Sequence, residues 1–311
     1  MAADIAADFA PLAAQRAVVL AVSGGPDSLA LMLLAARWAE ATPDAPALHV
    51  ATVDHGLRPE SAAEAAFAAQ AARVRGLPAT ILTWEGDKPA RRIQEKAREA
   101  RYDLLADHAR AIGAAALVTA HHAEDQAETV LFRLTRGSGV AGLAGMARVT
   151  QRHGLPLHRP LLGRRKAELV AVCDAAGQPY LDDPSNRNPV FARARLRALA
   201  ATLATQGLDA EALLRLSRRA ARAEAALKRC VEDAAARVGI ERGEAATQLD
   251  ARALAELPDE IALRLLDREI RLRAGADAPL RLERMESLTL RLLTAARADL
   301  GLSANLGGAT L

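Results

Sequence analysis

The chain has 311 residues, 51% hydrophobic, 25% charged and only 3% aromatic, which favours two globular domains over one core and excludes a disordered or fibrous protein. No apolar run reaches the roughly 20 residues of a membrane span, "MAADIAADFAPLAAQR" lacks a secretory leader's pattern, and Cys173 and Cys230 form neither a CxxC pair nor a disulfide framework, so a cytoplasmic protein is expected. The net charge is only +3, but arginines gather at 91–101, 164–165, 193–197 and 215–222, which suits either a phosphate-rich partner or helix faces paired with Glu.

In chain order, residues 17–22 read as a buried strand. The turn "SGGPD" and a helix "SLALMLLAARWAEA" follow. "ALHVATVDHG" is a second strand ending in Asp54 and His55, and the helix "SAAEAAFAAQAARVRG" closes at Gly76. "PATILTW" is a third strand, followed by a long helix over 91–113 that closes at Gly113. "AAALVTAHH" is a fourth, followed by the helix "AEDQAETVLFRLTRG". Strands alternating with helices at this spacing predict an α/β fold, a doubly wound parallel sheet covered on both faces. Ligands in such sheets sit beyond the carboxyl ends of the strands. That is where Ser23–Ser28, Asp54–His55 and His121–His122 all fall.

From residue 137 the texture changes. "GSGVAGLAGM" is a glycine-rich loop, "HRPLLGRRKAELVAVCDAAG" a helix with its lead-in, and "QPYLDDPSNRNP" irregular. Beyond about residue 205 no strand pattern recurs, and helices over 209–236, 250–274 and 280–298 predict a separate, smaller all-helical domain. The expected division is 1–205 and 206–311.

The turn after the first strand carries chemistry. Its glycines let the backbone pass close to a ligand, and the helix that follows offers unpaired amides and a positive dipole end. Together they form a phosphate cradle. A Walker-type loop is excluded because no G-K-[ST] follows, and G-x-G-x-x-G is absent. An acid beside bound phosphates repels them unless a divalent cation lies between, so Asp27 is a candidate Mg²⁺ ligand; the alternative is a tight turn with Asp27 as helix N-cap. Asp125 and Glu128 are three apart and share a helix face. They can bind a cation, or hold an ammonium group and accept its proton; the alternative is a solvated face. His121 lies just before that helix, and His122 is equally a structural histidine. Arg98 and Arg101 share another helix face, suited to phosphate charge.

S-G-G-P-D-S after a buried strand resembles the pyrophosphate-binding loop of the PP-loop ATPases, which cleave ATP between its α and β phosphates and adenylate a substrate. The resemblance implies that Ser23, Gly24, Gly25, Pro26, Asp27 and Ser28 hold the β and γ phosphates. Thiolating members generally need paired cysteines, and amidating members need a glutaminase cysteine; this chain has neither. Five blocks, "VDHGLRPES", "QEKAREARYDLL", "TAHHAEDQAETVLFRLTRGSGVAGLAGM", "RPLLGRRKAELVAVC" and "DDPSNRNPVFARARLR", resemble the signature of the tRNA(Ile)-lysidine synthetases in the right order over about residues 15–200.

That resemblance implies three substrates, ATP, free L-lysine and tRNA(Ile), with Mg²⁺ as cofactor. The O2 of the wobble cytidine is adenylated and lysine then displaces AMP. It implies ATP contacts at Asp54, His55 and His121, catalytic roles for Asp27, Asp125, Glu128 and Arg101, and lysine or tRNA contacts at Arg98, Arg193 and Arg197. The loop holding Gly137 and Gly139 brings backbone close to RNA, or else is a mobile linker. A homodimer is compatible with the sequence. Two positions depart from the family: Glu124 stands where Asp is common, and Ala194 where Asn is common, which puts residue 194 in doubt. The chain ends at "NLGGATL", where many members continue, so a short form or a truncated chain is expected.

Overall fold

The computed structural model describes residues 2–86, 88, 93–181, 192–244, 246–274, 281–306 and 309–310, with side chains for these except 2–4, 192–195, 197, 274, 309 and 310. The chain divides into two units, Met1–Arg218 and Arg219–Leu311.

The first unit is built on β1 (Ala17–Ala21), β2 (Ala47–Asp54), β3 (Ala79–Thr83), β4 (Ala116–Val118), β5 (Val149–Arg152) and β6 (Leu155–His158). They form one six-stranded sheet in the order β3-β2-β1-β4-β6-β5. β1 pairs in parallel with β2 and β4, for example Leu20 with Val50 and with Val118, and β4 pairs in parallel with β6. "AVVLA" is buried along its first four residues, as a strand covered on both faces must be.

On one face lie α1 (Ala2–Phe9), α2 (Pro26–Glu40), α3 (Ser61–Arg73) and α7 (Lys166–Ala175). Their core gathers Phe9, Leu31, Met32, Trp38, Leu169 and Cys173 against Val18, Leu20, Val50 and Val118. Alternate strand residues, Ala17, Val19, Ala51, Leu117 and Leu157, face the other way onto α4 (Ile93–Ala111), meeting Tyr102, Leu105 and Ala109. Each Leu, Val or Met so buried contributes roughly 1.5–3 kcal/mol.

The sheet differs from a purely parallel one at its end. β5 runs antiparallel to β6, with Arg152 opposite Leu155. The two residues between them, His153 and Gly154, both have positive φ, 49° and 78°, as a tight two-residue hairpin turn of the primed kind requires. Pro156 inside β6 hid that strand from a reading by propensity. The glycine-rich stretch holds a short helix, α6 (Val140–Leu143).

α5 (Ala123–Leu134) packs with α8 (Ala192–Thr205) and the start of α9 (Ala210–Arg237) through Ala127, Val130, Leu131, Leu213 and Leu214. The second unit is helical, with α10 (Ala251–Ala255), α11 (Asp259–Ala274) and α12 (Leu282–Arg297) packed with the end of α9 around Val231, Val238, Leu265, Ile270, Met285 and Leu293. It also contains two short antiparallel ladders that no sequence pattern announced: β7 (Glu241–Arg242) with β8 (Thr247–Gln248), and β9 (Asn305–Leu306) with β10 (Ala309–Thr310). Among the described residues no helix is long and apolar enough to cross a membrane.

Candidate active site

In the strand order, β1 leads to β2 and β3 on one side while β4 lies on the other. The crevice beyond the carboxyl ends of β1 and β4 is therefore the topological switch point, the default ligand site of an open α/β sheet. Two segments enter it: Ser23–Gly25 after β1, and Thr119–His122 after β4.

The first is a cradle. Gly24 has φ +86°, and a Cβ there would stand 2.9 Å from Leu181 Cδ1 and 3.4 Å from the Phe67 ring. Gly25 is the residue before α2, Pro26 takes the first helical position, and Asp27 lies in the first turn without acting as a cap. The N-cap alternative for Asp27 therefore does not hold. Ser28 Oγ ties the loop together, donating to the Gly25 carbonyl at 3.0 Å and accepting from the Ser23 amide at 3.0 Å. The Leu181 amide donates to the Gly24 carbonyl at 2.9 Å, so the segment after α7 closes over the turn.

The second segment brings acids to the cradle. His122, 5% exposed, sits with Nε2 at 3.5 Å from Asp27 and 3.6 Å from Asp125, and Nδ1 at 3.0 Å from Glu124. Burial pulls the ring's pKa down, but Asp27, Asp125 and Glu124 together outweigh it and raise it. The Asp125 carboxyl is pushed up, first by burial and then by Glu128 and Asp27, although His122 opposes this. Its Oδ2 accepts the His122 amide at 3.1 Å, which fixes it across the start of α5 rather than in solvent. Glu128 follows one turn on and is half-buried. His121 is half-buried too, its Nδ1 2.9 Å from Thr119 Oγ1. Glu124 also accepts the Lys166 amide at the start of α7, at 2.9 Å.

At the end of β2, Asp54 accepts from Ser61 Oγ at 2.6 Å and from the Gly56 amide at 2.9 Å, which lowers its pKa. His55 lies edge-on to Trp84, and burial followed by the charge of Arg101 lowers its pKa. Arg98 and Arg101 flank Tyr102 at 5.6 and 5.3 Å from its ring centre. Gly137 has φ +67° and open space around it, while Gly139 is the residue before α6. Arg193 and Arg197 fall on α8, and their side chains lie outside the described residues.

Sequence reasoning missed what holds the glycine-rich loop. Gln126, buried on α5, accepts the Met146 amide at 2.7 Å and donates to its carbonyl at 3.0 Å. Arg133 donates to the carbonyls of Gly142 and Gly145 at 2.9 and 2.8 Å. Gly145, at φ +75°, leaves no room for a Cβ beside Gln126. Spacing gave no signal for these contacts; only the repeated polar side chains of α5 hinted at them. Cys173 is buried, its thiol donating to the Pro26 carbonyl at 3.4 Å, and burial pushes its pKa up to about 11.

A family model described as a PP-loop domain matches residues 1–203. The tRNA(Ile)-lysidine synthase of Methylobacterium sp. (strain 4-46) is 54% identical over 94% of this chain and 85% of its own length. That of Bradyrhizobium sp. (strain BTAi1) is 51% identical over 91% and 81%. The chain belongs to the tRNA(Ile)-lysidine synthase family. A further member, from Rhodopseudomonas palustris, is 50% identical over 93% of this chain and 83% of its length. Among solved structures, the U34-tRNA thiolase NcsA of Methanococcus maripaludis superposes with a TM-score of 0.59 over 71% of this chain and 77% of its own, at 15% identity, which extends the likeness of fold beyond the family.

Proposed function

We propose that the chain catalyses the reaction its family is named for: ATP-dependent joining of free L-lysine to C2 of the wobble cytidine of tRNA(Ile), with release of AMP and pyrophosphate. The observation that carries the reading is the His122 cluster. One buried ring brings Asp27 of the phosphate loop and Asp125 of the signature helix within 3.6 Å of the same nitrogen.

The loop amides of Ser23–Ser28 and the start of α2 receive the β and γ phosphates. Asp54 and His55 meet the nucleoside end of ATP. The Oδ1 of Asp27 is buried without a partner, which fits a cation ligand. No cluster of three or more ligating side chains is found among the described residues, so the ion would be completed by phosphate oxygens, as is usual for Mg²⁺. Bound there, Mg²⁺ neutralises phosphate charge.

Asp125 and Glu128 hold lysine, and the raised Asp125 is suited to take the proton its amine must lose before attack. His121 stands at the same crevice, against ATP. Arg101 offsets charge developing at the α phosphate as the cytidine O2 attacks it, and Arg98, Arg193 and Arg197 meet lysine or tRNA. The loop of Gly137 and Gly139 lets RNA approach the backbone. The helical region from about residue 206 grips the tRNA body, with binding that weakens steeply as salt rises.

Mass spectrometry of nucleosides from tRNA(Ile) incubated with ATP, Mg²⁺ and lysine tests the reading. Lysidine should appear only with all of them and fall at least about a hundredfold for Asp27→Asn, the scale of losing one preorganised electrostatic group. Efficient formation of the 2-amino cytidine analogue with ammonia in place of lysine, or the absence of lysidine with all substrates present, overturns the reading.

A further inference from the structure

On the sheet face covered by α4, arginines converge on one tyrosine. The guanidinium carbons of Arg98, Arg101 and Arg152 stand 5.6, 5.3 and 5.0 Å from the centre of the Tyr102 ring. Arg159 bears on the same phenol. Arg98, Arg101 and Tyr102 belong to α4, Arg152 ends β5 and Arg159 follows β6, so three elements supply the cluster. Like charges gathered this way repel unless the ring faces or an anion offset them.

Ring contacts alone leave polar atoms unused. The Nε atoms of Arg101, Arg152 and Arg159 are all buried without a hydrogen-bond partner among the described residues, and the Tyr102 hydroxyl meets the Arg101 guanidinium. Tyr102 is 1% exposed and Arg159 7%. Buried polar atoms in folded proteins are nearly always partnered, and guanidinium N–H groups can be satisfied only by an acceptor. Three acids of α4 have partners of their own, Glu99 with Lys96 at 2.8 Å, Asp103 with His153 at 3.0 Å and Asp107 with Arg110 at 2.7 Å, and Glu99 also feels the charge of Arg152. Arg159 is anchored by its donation to the Ala147 carbonyl at 2.8 Å and to Thr150 Oγ1 at 3.1 Å, which holds its orphan Nε in place. Burial lowers its pKa, and although Tyr102 opposes this, the charges of Arg98 and Arg133 add to it, the direction an anion would reverse.

We propose that Arg101, Arg152, Arg159 and the Tyr102 hydroxyl form a phosphate-binding site, entered past the exposed Arg98. Guanidinium groups and a phenol presented together match phosphate oxygens. The assignment of the two sources of that phosphate rests on the proposed function: a phosphodiester of the RNA, or the pyrophosphate that ATP releases.

The test uses the full chain with Arg152→Gln and Arg152→Lys, read by tRNA binding across salt concentrations and by calorimetric titration with inorganic pyrophosphate. With an RNA phosphodiester as occupant, Arg152→Gln weakens tRNA binding about tenfold and makes the slope of log K against log salt shallower by about one, with pyrophosphate binding unchanged. A tenfold loss of pyrophosphate affinity with tRNA binding unchanged supports the site with the nucleotide as source. Arg152→Lys keeps the charge and loses the fork, so it should fall between wild type and Gln and serves if the Gln variant does not fold. Unchanged affinity for both ligands in a folded variant overturns the site. A wild-type chain that makes no lysidine but binds pyrophosphate through Arg152 sinks the functional reading and leaves the site standing.

Discussion

Replacing Asp27 by Asn tests whether the carboxylates around His122 keep that buried ring charged. The side chains are 6% and 28% exposed and their nearest charged atoms are 3.5 Å apart. Two unit charges at that separation attract by about 5 kcal/mol at an effective dielectric of about 20. Solvent at Asp27, and the continued presence of Glu124 and Asp125, reduce the expected loss of stability to about 1–2 kcal/mol. Because the folded-state pKa of His122 is raised above 6.5, this contribution is complete below that value and disappears as pH rises through the folded pKa. The variant should therefore be less stable than wild type near about pH 5.5. The gap should close above the folded pKa and can change sign there, since Asp27 also repels Asp125. Urea denaturation at the two pH extremes measures the gap, and the His122 ring proton resonance reports its titration, which should move to lower pH. Equal stability differences at both extremes, or an unmoved titration, would refute the reasoning.

Gly24→Ala forces a left-handed residue to carry a Cβ 2.9 Å from Leu181 Cδ1; it should cost about 1–2 kcal/mol and abolish protection by ATP in thermal melts, and unaltered protection would show that the loop is not the nucleotide cradle. Gln126→Ala releases both polar groups of Met146, so limited proteolysis should cut within residues 137–146 faster, with a stability loss of about 1–3 kcal/mol. Arg264→Met strips Glu224, 12% exposed, of its 2.8 Å partner; about 3 kcal/mol should be lost from the unfolding of the helical unit, and a smaller loss would mean that Lys228 compensates. Iodoacetamide at neutral pH should label the exposed Cys230 in the native chain and spare Cys173 until denaturant is added, because burial raises the Cys173 thiol pKa to about 11.

Much of the first unit was legible because each of its first four strands is a short apolar run followed by an amphipathic helix, and β1, β2 and β4 end in residues of evident chemistry. The hairpin of β5 and β6 was not. Its strands are four residues long, Pro156 interrupts one of them, and its turn uses His153 where asparagine or aspartate would have signalled it. At the site, Asp27, Asp125 and His121 were readable as residue types at the carboxyl edge of a sheet. The role of His122 was not, because its meeting with Asp27 joins segments 95 positions apart that only strand order makes neighbours. Gln126 bonding Met146 and Ser217, and Arg159 beside Tyr102, are likewise products of packing rather than of spacing.

α5 carries Asp125 in its first turn, Gln126 beside it and Arg133 in its last turn. One rigid rod thus grips the carboxylate end of the crevice and, through Met146, Gly142 and Gly145, the loop that follows it. A tug on either end is transmitted to the other without any hinge between them. Anything that displaced the loop would shift the acids by the same stroke, so the two ends of the helix answer to a single displacement.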